Sequence, residues 1–251
     1  ADEKKQDEPA KIKVIGVGGG GGNAVNHMYH QGIGGVSFVL CNTDAQALRN
    51  SPVPVKVQLG AKGEGAGNIP EVAKKLAEES AAEVEALFDD NTRMAFITAG
   101  MGGGTGTGAA PVVARIAKEK GVLVINNERL CKIYPDLSWT TAFAKADDSL
   151  SNAARSIAEL VSKDGKINLD FADVRTTLKD GGAAVISTGS GEGEHRMSRA
   201  IQNALTSPLL KESDIYGAER VLFNLYFSPE EGEALRMQES KELSEFMLRF
   251  K

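Results

Sequence analysis

The sequence has few cysteines and no long apolar runs, and each of these shortages argues against one class of protein. The two cysteines, Cys41 and Cys131, have neither metal-ligand spacing nor the density of a disulfide framework, which fits a reducing cytoplasm. No apolar run is long enough to span a membrane, and the N-terminus lacks the apolar core of a signal peptide. We therefore expect a cytoplasmic protein without direct membrane insertion, in which both cysteines are small buried apolar residues.

Two further absences concern nucleic acids and nucleotides. The net charge is −5 and no block of basic residues occurs, so a nucleic-acid groove has little support. The Walker pattern G-x-x-x-x-G-K-[ST] is missing as well, which excludes a P-loop NTPase. A phosphate bound by this chain must therefore be held by backbone N–H groups, helix dipoles and metal.

Glycine, in contrast, is abundant, and many of the 28 glycines fall in clusters. Three glycine segments, 18–22, 60–68 and 100–108, each precede a predicted helix. A glycine loop at a helix start turns several N–H groups towards one point and is backed by the positive end of the helix dipole, which suits a phosphate. Three such loops predict a polyphosphate wrapped along one edge of a sheet.

The apolar pattern between these segments predicts an α/β fold with a Rossmann-like parallel sheet. Short β-branched or apolar runs indicate strands at 11–17, 36–40, 94–99 and 121–125. The helices that follow the second and third glycine segments are expected to carry Pro70 and Pro111 in their first turns. The first of these two helices has apolar positions from Val72 to Phe88.

The second half of the chain predicts a long helix and then a smaller α+β unit. An amphipathic helix from about Ser138 to Ser162 spans on the order of 35 Å. The α+β unit is expected to contain two strands and two helices, at 183–189, 197–205, 220–227 and 238–250. We expect the long helix to join two halves of the protein.

Asn42 and Asp44 follow the second predicted strand, and their role is open. Polar side chains at the carboxyl end of a parallel strand point into the ligand crevice, but capping of the turn that follows explains both residues equally well. Gly16, Gly18 and Gly21 also satisfy the dinucleotide fingerprint. A nicotinamide-dependent oxidoreductase is therefore an alternative, although it accounts for one glycine segment of three.

A polar segment after the long helix carries Asn168, Asp170 and Asp173 between apolar residues. The apolar neighbours anchor such a loop while the carboxylates project. Capping of the next helix by Asp173 is an equally good explanation of that residue.

Assembled in order, these motifs resemble the tubulin/FtsZ family of cell-division GTPases. Residues 102–108, Gly-Gly-Gly-Thr-Gly-Thr-Gly, are similar to the family's signature loop, and residues 168–173, Asn-Leu-Asp-Phe-Ala-Asp, to its synergy loop. Matches at 18–23, 42–44, 126–130 and 143–147 follow the family's order. The resemblance implies a tubulin-like fold with a disordered leader at 1–10, a GTP-binding domain at 11–137, a central core helix at 138–162 and a C-terminal α+β domain at 163–251.

The resemblance also implies GTP or GDP as the ligand, with Mg²⁺ as the accompanying cation. The resemblance places around the nucleotide a set made mostly of glycines and of residues with short polar side chains. The set is Gly19, Gly20, Gly21, Gly22, Asn23, Asn42, Asp44, Gly65, Ala66, Gly67, Asn68, Gly102, Gly103, Gly104, Thr105, Gly106, Thr107, Asn127, Phe143 and Asp147. Asp147 can accept two hydrogen bonds from the N1–H and 2-amino edge of guanine, and Phe143 offers a stacking face.

The family resemblance also implies that the protein forms a filament. Asp170 and Asp173, with Asn168, correspond to synergy-loop residues that complete catalysis on the nucleotide of the next subunit, where a carboxylate can orient the attacking water. A head-to-tail contact that does not close builds an open polymer. We therefore expect a GTPase that self-assembles in the mid-cell division ring. A scaffold that binds GTP without hydrolysing it is a second alternative.

The sequence departs from the family at two places. Family members carry, between the positions of Val124 and Ile125, a Phe-x-Phe-Glu-Gly-x-x-Arg segment, a helix and another strand. A crossover between parallel strands normally needs about ten residues or more. A single strand is therefore predicted here in place of the two strands that the family has at this point. The sequence also stops at Lys251, before the last strands and the flexible tail through which the family binds membrane tethers and regulators.

Overall fold

The computed structural model describes residues 11–100, 102–126, 151–152, 154–159, 171–179, 187–206, 215–227 and 235–249. The chain divides into two compact units, Ala1–Asn168 and Leu169–Lys251. The predicted leader lies outside the described residues, and so does most of the predicted central helix. Of that helix, residues 151–152 and 154–159 are helical, and the predicted core residue Ile157 is buried.

A parallel sheet forms the centre of the described part of the first unit. Its strands are β1 (Ile12–Val17), β2 (Val36–Asn42), β3 (Val55–Gln58), β4 (Met94–Ala99) and β5 (Leu123–Asn126), in the spatial order β3-β2-β1-β4-β5. All neighbouring pairs run parallel. The predicted α/β fold is therefore confirmed, and all of β4 is buried, as expected for a strand covered on both faces.

The sequence analysis does not predict β3. This strand has only four residues, and of these only Val57 is buried. It pairs with β2 alone. A short strand at the edge of a sheet has too few alternating apolar residues to be seen in a sequence.

Helices follow the strands at the carboxyl edge of the sheet. Their bounds are α1 (Gly18–His30), α2 (Ala45–Asn50), α3 (Pro70–Glu79), α4 (Ala81–Glu85) and α5 (Gly104–Glu119). The predicted helix with apolar positions up to Phe88 is broken at Ser80, whose hydroxyl accepts a hydrogen bond from Gly60 N at 2.8 Å. Val72 is 41% exposed, so it does not contribute to the buried face of α3.

The position of Pro111 corrects another expectation. Because α5 begins at Gly104, Pro111 lies inside the helix, about two turns from its start, and not in the first turn. Gly104, Gly106 and Gly108 have low helix propensity and were expected to form a loop. They are helical nonetheless, and close packing explains why they are glycines: a Cβ at Gly108 would meet the carbonyl oxygen of Pro70.

The strand β5 passes through the point between Val124 and Ile125 where the family resemblance implies a further segment. It includes both Val124 and Ile125, and it pairs with β4 from Leu123 to Asn126 without interruption. A single continuous strand is therefore present at this point. That it takes the place of two strands stays a prediction. Asn126 lies opposite Ile97, near the carboxyl edge of the sheet.

The regular structure in the described part of the second unit is all helical. It contains α6 (Phe171–Leu178), α7 (Arg196–Leu205), α8 (Met237–Met247) and a short 3-10 helix at Ile215–Gly217. The strand predicted at 220–227 was wrong, since these residues have no regular structure. A strand needs a hydrogen-bonded neighbour, and the described part of this unit supplies none. Most of the other predicted strand, 183–189, lies outside the described residues, and 187–189 are irregular.

None of the helices in the described ranges combines the length and the apolar character that crossing a membrane requires.

Candidate functional site

Two helices begin side by side at the carboxyl edge of the sheet. α1 starts at Gly18, directly after β1, and α5 starts at Gly104, a few residues after β4. The residues before them, Val17 and Gly103, make no side-chain cap, and neither helix has an acidic residue in its first turn. The first N–H groups of both helices are therefore left without an internal anion, which is the arrangement that binds phosphate.

Four of the predicted site glycines let neighbouring backbone pack closely against the starts of these helices. A Cβ at Gly20 would lie 2.8 Å from the Cα of Gly100, and one at Gly104 would lie 2.7 Å from the backbone nitrogen of Ile69. Added Cβ atoms at Gly21 and Gly106 would meet carbonyl oxygens of β4 and of the residue that follows it. These glycines are required because backbones cross at contact distance, whatever ligand binds beside them.

Five other site glycines face open space. A Cβ would meet nothing within 4 Å at Gly19, Gly22, Gly65, Gly67 or Gly102. The last three have positive φ angles of 84°, 57° and 88°, which glycine adopts without strain. A ligand can thus approach the backbone at all three glycine segments, and we call these five residues the open glycines.

The structure brings the second and third glycine segments together. A Cβ at Gly104 would lie 2.8 Å from the carbonyl carbon of Asn68. Asn68 and Gly67 are exposed, whereas Ala66 is 6% exposed and packs into the core. Ala66 can therefore offer a ligand its backbone but not its side chain. Gly103 and Thr107 complete this part of the predicted set, at the start of α5.

A cleft opens between α1 and the end of β2. Its lining includes Gly19, Gly22, Asn23 and Asn42, all of which belong to the predicted set. Cys41 also contributes to the lining, and burial raises the pKa of its thiol to about 12. The thiol is therefore protonated at neutral pH and acts as a small apolar residue, as expected from the sequence.

The structure shows that capping is one role of Asp44. The carboxylate of Asp44 accepts hydrogen bonds from Gln46 N at 2.8 Å and Ala47 N at 3.2 Å, at the start of α2. Asn42 is 7% exposed, and its side-chain oxygen accepts from Asp44 N at 3.2 Å. Both side chains thus shape the turn after β2, and a contact with a ligand stays a prediction.

Sequence reasoning missed one residue of this edge, Thr43. It lies between Asn42 and Asp44, is 1% exposed, and its hydroxyl is 2.7 Å from the hydroxyl of Thr105 in α5. The signal for it was the polar run Asn-Thr-Asp after a buried strand, of which only the two outer residues were selected.

The remaining predicted residues are not brought to this edge by the described structure. Asp173 lies in the first turn of α6, in the second unit. The others, Asn127, Phe143, Asp147, Asn168 and Asp170, lie outside the described residues. Across the described stretches, no group of three or more His, Cys, Asp or Glu side chains could hold a metal ion.

The fold and this edge define a class of protein. A parallel sheet carries two adjoining helix N-termini and a third glycine segment on one edge, and no Walker lysine is present. This arrangement is typical of a nucleotide-binding domain that holds phosphate with backbone N–H groups. The model of the Tubulin/FtsZ family GTPase domain matches residues 11–167, and that of the FtsZ family C-terminal domain matches 182–249. The chain belongs to the tubulin/FtsZ family.

Similar proteins support the same assignment. The Cell division protein FtsZ of Porphyromonas gingivalis is 54% identical over 89% of this chain and 57% of its own length. That of Pseudomonas putida is 42% identical over 87% of this chain and 65% of its own length. Among solved structures, an empty FtsZ dimer from M. jannaschii has a TM-score of 0.74 and 35% identity, and the match covers 98% of this chain and 81% of that one.

This chain spans less than two thirds of the length of both curated relatives. The match to the Porphyromonas gingivalis protein extends over 262 residues, which is more than the 251 residues of the whole chain. That relative therefore holds residues within the matched region that this chain lacks. The observation agrees with the uninterrupted course of β5.

The oxidoreductase alternative finds no support in these comparisons. The structure also explains, by packing alone, the glycine pattern on which that alternative rests. A Cβ at Gly16 would meet the backbone of Gly21, and one at Gly18 would lie 2.8 Å from Gly106 N. The spacing of these glycines follows from the packing of β1, α1 and α5 on one another.

Proposed function

We propose that this chain binds GTP and hydrolyses it to GDP and phosphate when copies of the protein assemble head to tail. The observation that carries the proposal is the pair of uncapped helix N-termini, α1 and α5, with the open glycines in front of them. Membership of the tubulin/FtsZ family supports guanine as the base. Names of relatives support a role in cell division, and we infer that the protein acts in the division ring.

The phosphates are proposed to lie across the open glycines. Backbone N–H groups of Gly19 and Gly102 donate to phosphate oxygens there, and the dipoles of α1 and α5 stabilise the negative charge. Asn23 is exposed in the first part of α1 and adds a side-chain amide donor. No acidic side chain of either first turn opposes this charge.

Recognition of the base is assigned to residues of the family resemblance. We propose that Asp147 accepts hydrogen bonds from the N1–H and 2-amino groups of guanine, that Phe143 stacks on the ring and that Asn127 adds a polar contact. Adenine lacks these two donors, so the carboxylate of Asp147 would be left unpaired against it and would reject it. Mg²⁺, when bound to the phosphates, would neutralise charge that develops during hydrolysis.

Catalysis is proposed to require a second copy of the chain. Asp170 and Asp173, with Asn168, orient the attacking water at the nucleotide held by the neighbouring subunit. The position of Asp173 in the first turn of α6 supports a projecting carboxylate. Repetition of this contact builds a filament, and tethers and regulators are proposed to bind the tail that follows this region in the family.

The test is GTP hydrolysis per protein molecule, measured with Mg²⁺ as protein concentration is raised, for the wild type and Asp170→Ala. We expect activity only above a threshold concentration, and we expect the variant to bind GTP but to lose about 10²-fold or more in turnover. Glu83→Ala, which changes an acidic residue of α4, is the matched control and should behave as wild type.

Other outcomes of this experiment would contradict different parts of the proposed function. Activity that is independent of protein concentration would contradict catalysis shared between subunits. Binding and assembly without phosphate release by the wild type would favour the non-hydrolysing scaffold. A chain that binds no GTP would exclude both, and would indicate that the residues missing within the matched region are needed to hold the nucleotide.

A further inference from the structure

Thr43 occupies a buried position behind the open glycines. It lies in the link between β2 and α2, and its side chain is 1% exposed. Its hydroxyl oxygen is 2.7 Å from the hydroxyl oxygen of Thr105, a residue in the first turn of α5. These two residues are 62 positions apart in the chain, so the hydrogen bond joins two distant segments at the edge of the sheet.

The same residue is tied to the second glycine segment through its backbone. The carbonyl oxygen of Thr43 accepts a hydrogen bond from Gly65 N at 3.0 Å. The first segment is close as well, since a Cβ at Gly18 would lie 3.2 Å from the Cβ of Thr105. The Thr43–Thr105 bond therefore lies where all three glycine segments meet.

The direction of this hydrogen bond has a chemical consequence. A hydroxyl group has one hydrogen to donate and can also accept. When Thr43 donates to Thr105, the hydrogen of Thr105 remains for a third group, and Thr105 is partly exposed whereas Thr43 is buried. Phosphate oxygens are acceptors, so a bound phosphate favours the direction in which Thr105 presents its hydrogen to the ligand.

We propose that Thr43 is a positioning residue of the nucleotide site, which donates its hydroxyl hydrogen to Thr105 and so directs the hydroxyl hydrogen of Thr105 to a phosphate oxygen. Thr43 itself touches no ligand. The inference rests on the proposed function, because it assumes that phosphate lies at the start of α5. It assigns a role to a residue that the sequence pattern did not select.

The experiment compares Thr43→Val with Thr43→Ser in equilibrium binding of GTP, with GDP measured in parallel. Valine keeps the shape of threonine but removes the hydroxyl, whereas serine keeps the hydroxyl and removes the methyl group. We expect Thr43→Val to weaken GTP binding about tenfold, the effect of about one hydrogen bond. Thr43→Ser should bind GTP within about twofold of wild type, since the donor is retained.

Thr92→Val is the matched control. Thr92 is 5% exposed and its hydroxyl donates to Asp89 at 2.8 Å, just before β4 and thus at the opposite end of the sheet from the glycines. This variant loses a comparable hydrogen bond and some stability, and should bind GTP as wild type does. Equal binding by wild type and Thr43→Val would overturn the proposal. Weak binding by both Thr43 variants would also overturn it, because the hydroxyl would then not be the cause.

A measurement without nucleotide separates this proposal from the proposed function. Amide hydrogen exchange at Gly108 and Ala109 reports on the first turn of α5, because their N–H groups bond to carbonyls four residues earlier. We expect Thr43→Val to exchange severalfold faster than Thr43→Ser at these amides. Equal exchange rates overturn the positioning role. A wild type that binds no GTP overturns the proposed function, while the exchange rates still decide whether Thr43 orders α5.

Discussion

The starts of α1 and α5 in the first unit differ from the start of α7 in the second. In the first unit, α1 and α5 begin without a side-chain cap and without an acidic residue in the first turn. In the second unit, the start of α7 is closed by a neighbouring helix: the carboxylate of Glu242 in α8 accepts from both Ser198 N and Ser198 Oγ. The same backbone feature is thus open to a ligand at α1 and α5 and closed by an internal anion at α7.

A second carboxylate of α8, Glu239, caps the start of its own helix and pairs with the side chain of Arg196 at the start of α7. Glu239 accepts two hydrogen bonds from the guanidinium of Arg196 and one from Arg236 N at 2.7 Å. The Arg196 hydrogen bonds, followed by the bond from Arg236, lower the pKa of Glu239 to about 2. The hydroxyl of Ser198 is the main cause that lowers the pKa of Glu242. A carboxylate can therefore close a helix start in this protein, and the sequence places none at the starts of α1 and α5.

The largest expected effect separates packing glycines from open glycines. Gly104→Ala should lower the free energy of unfolding by about 1–3 kcal/mol, because its methyl group would lie 2.7 Å from Ile69 N. Gly19→Ala should leave that free energy within about 0.5 kcal/mol of wild type, yet weaken GTP binding more than tenfold, since its methyl group occupies ligand space. Denaturant unfolding and GTP titration check both. Equal loss of stability in the two variants would contradict the division.

The next effect concerns the other end of a helix. The guanidinium of Arg220 donates to the carbonyl oxygens of Thr176 at 2.8 Å and Lys179 at 2.7 Å, which end α6, the helix that carries Asp173. Arg220→Ala should lower GTP turnover about threefold to tenfold with unchanged GTP affinity, because α6 loses its C-terminal partner. Arg199→Ala, which removes one hydrogen bond to Glu192 O, is the control. A matching loss in the control would contradict the assignment.

The hydrogen bonds of Glu239 to Arg196 and Arg236 predict a dependence of stability on pH. The pKa of Glu239 is about 2 in the folded protein, against an ordinary value of 4.5. Between these values the unfolded chain binds the proton more readily, so stability is present above pH 4.5 and is lost as the pH falls towards 2. Glu239→Gln should show a shallower loss over this range in unfolding measurements. An unchanged slope would show that Glu239 is not the group responsible.

The smallest effect is expected at an exposed ion pair. Lys241 and Glu245 lie 3.8 Å apart on the surface of α8, with side chains that are 77% and 64% exposed. Glu245→Ala should change the free energy of unfolding by less than about 0.5 kcal/mol, because exposed pairs are screened by water and salt. Measured beside Glu239→Gln, it shows whether a carboxylate of α8 stabilises the protein only when it caps a helix start and pairs with an arginine. A larger loss for Glu245→Ala would contradict this.

Much of the first unit was predictable, because its signals are local and strong. The buried strand Met94–Ala99 and the proline at the start of α3 are read directly from runs of a few residues. The gathering of three glycine segments at one edge was predictable too, since parallel strands end on the same side of a sheet. The second unit was predicted less well, and its expected strand at 220–227 has no regular structure.

The amino-acid sequence by itself determined the parallel sheet, the glycine edge and the family, because apolar periodicity and glycine clusters are properties of short segments. Only the tertiary structure decided the separate roles of the glycines, the helical state of Gly104 to Gly108 and the bond between Thr43 and Thr105. These features depend on atoms brought together from distant parts of the chain. A local pattern shows that backbone can come close at a glycine, but only the packed fold shows what approaches it.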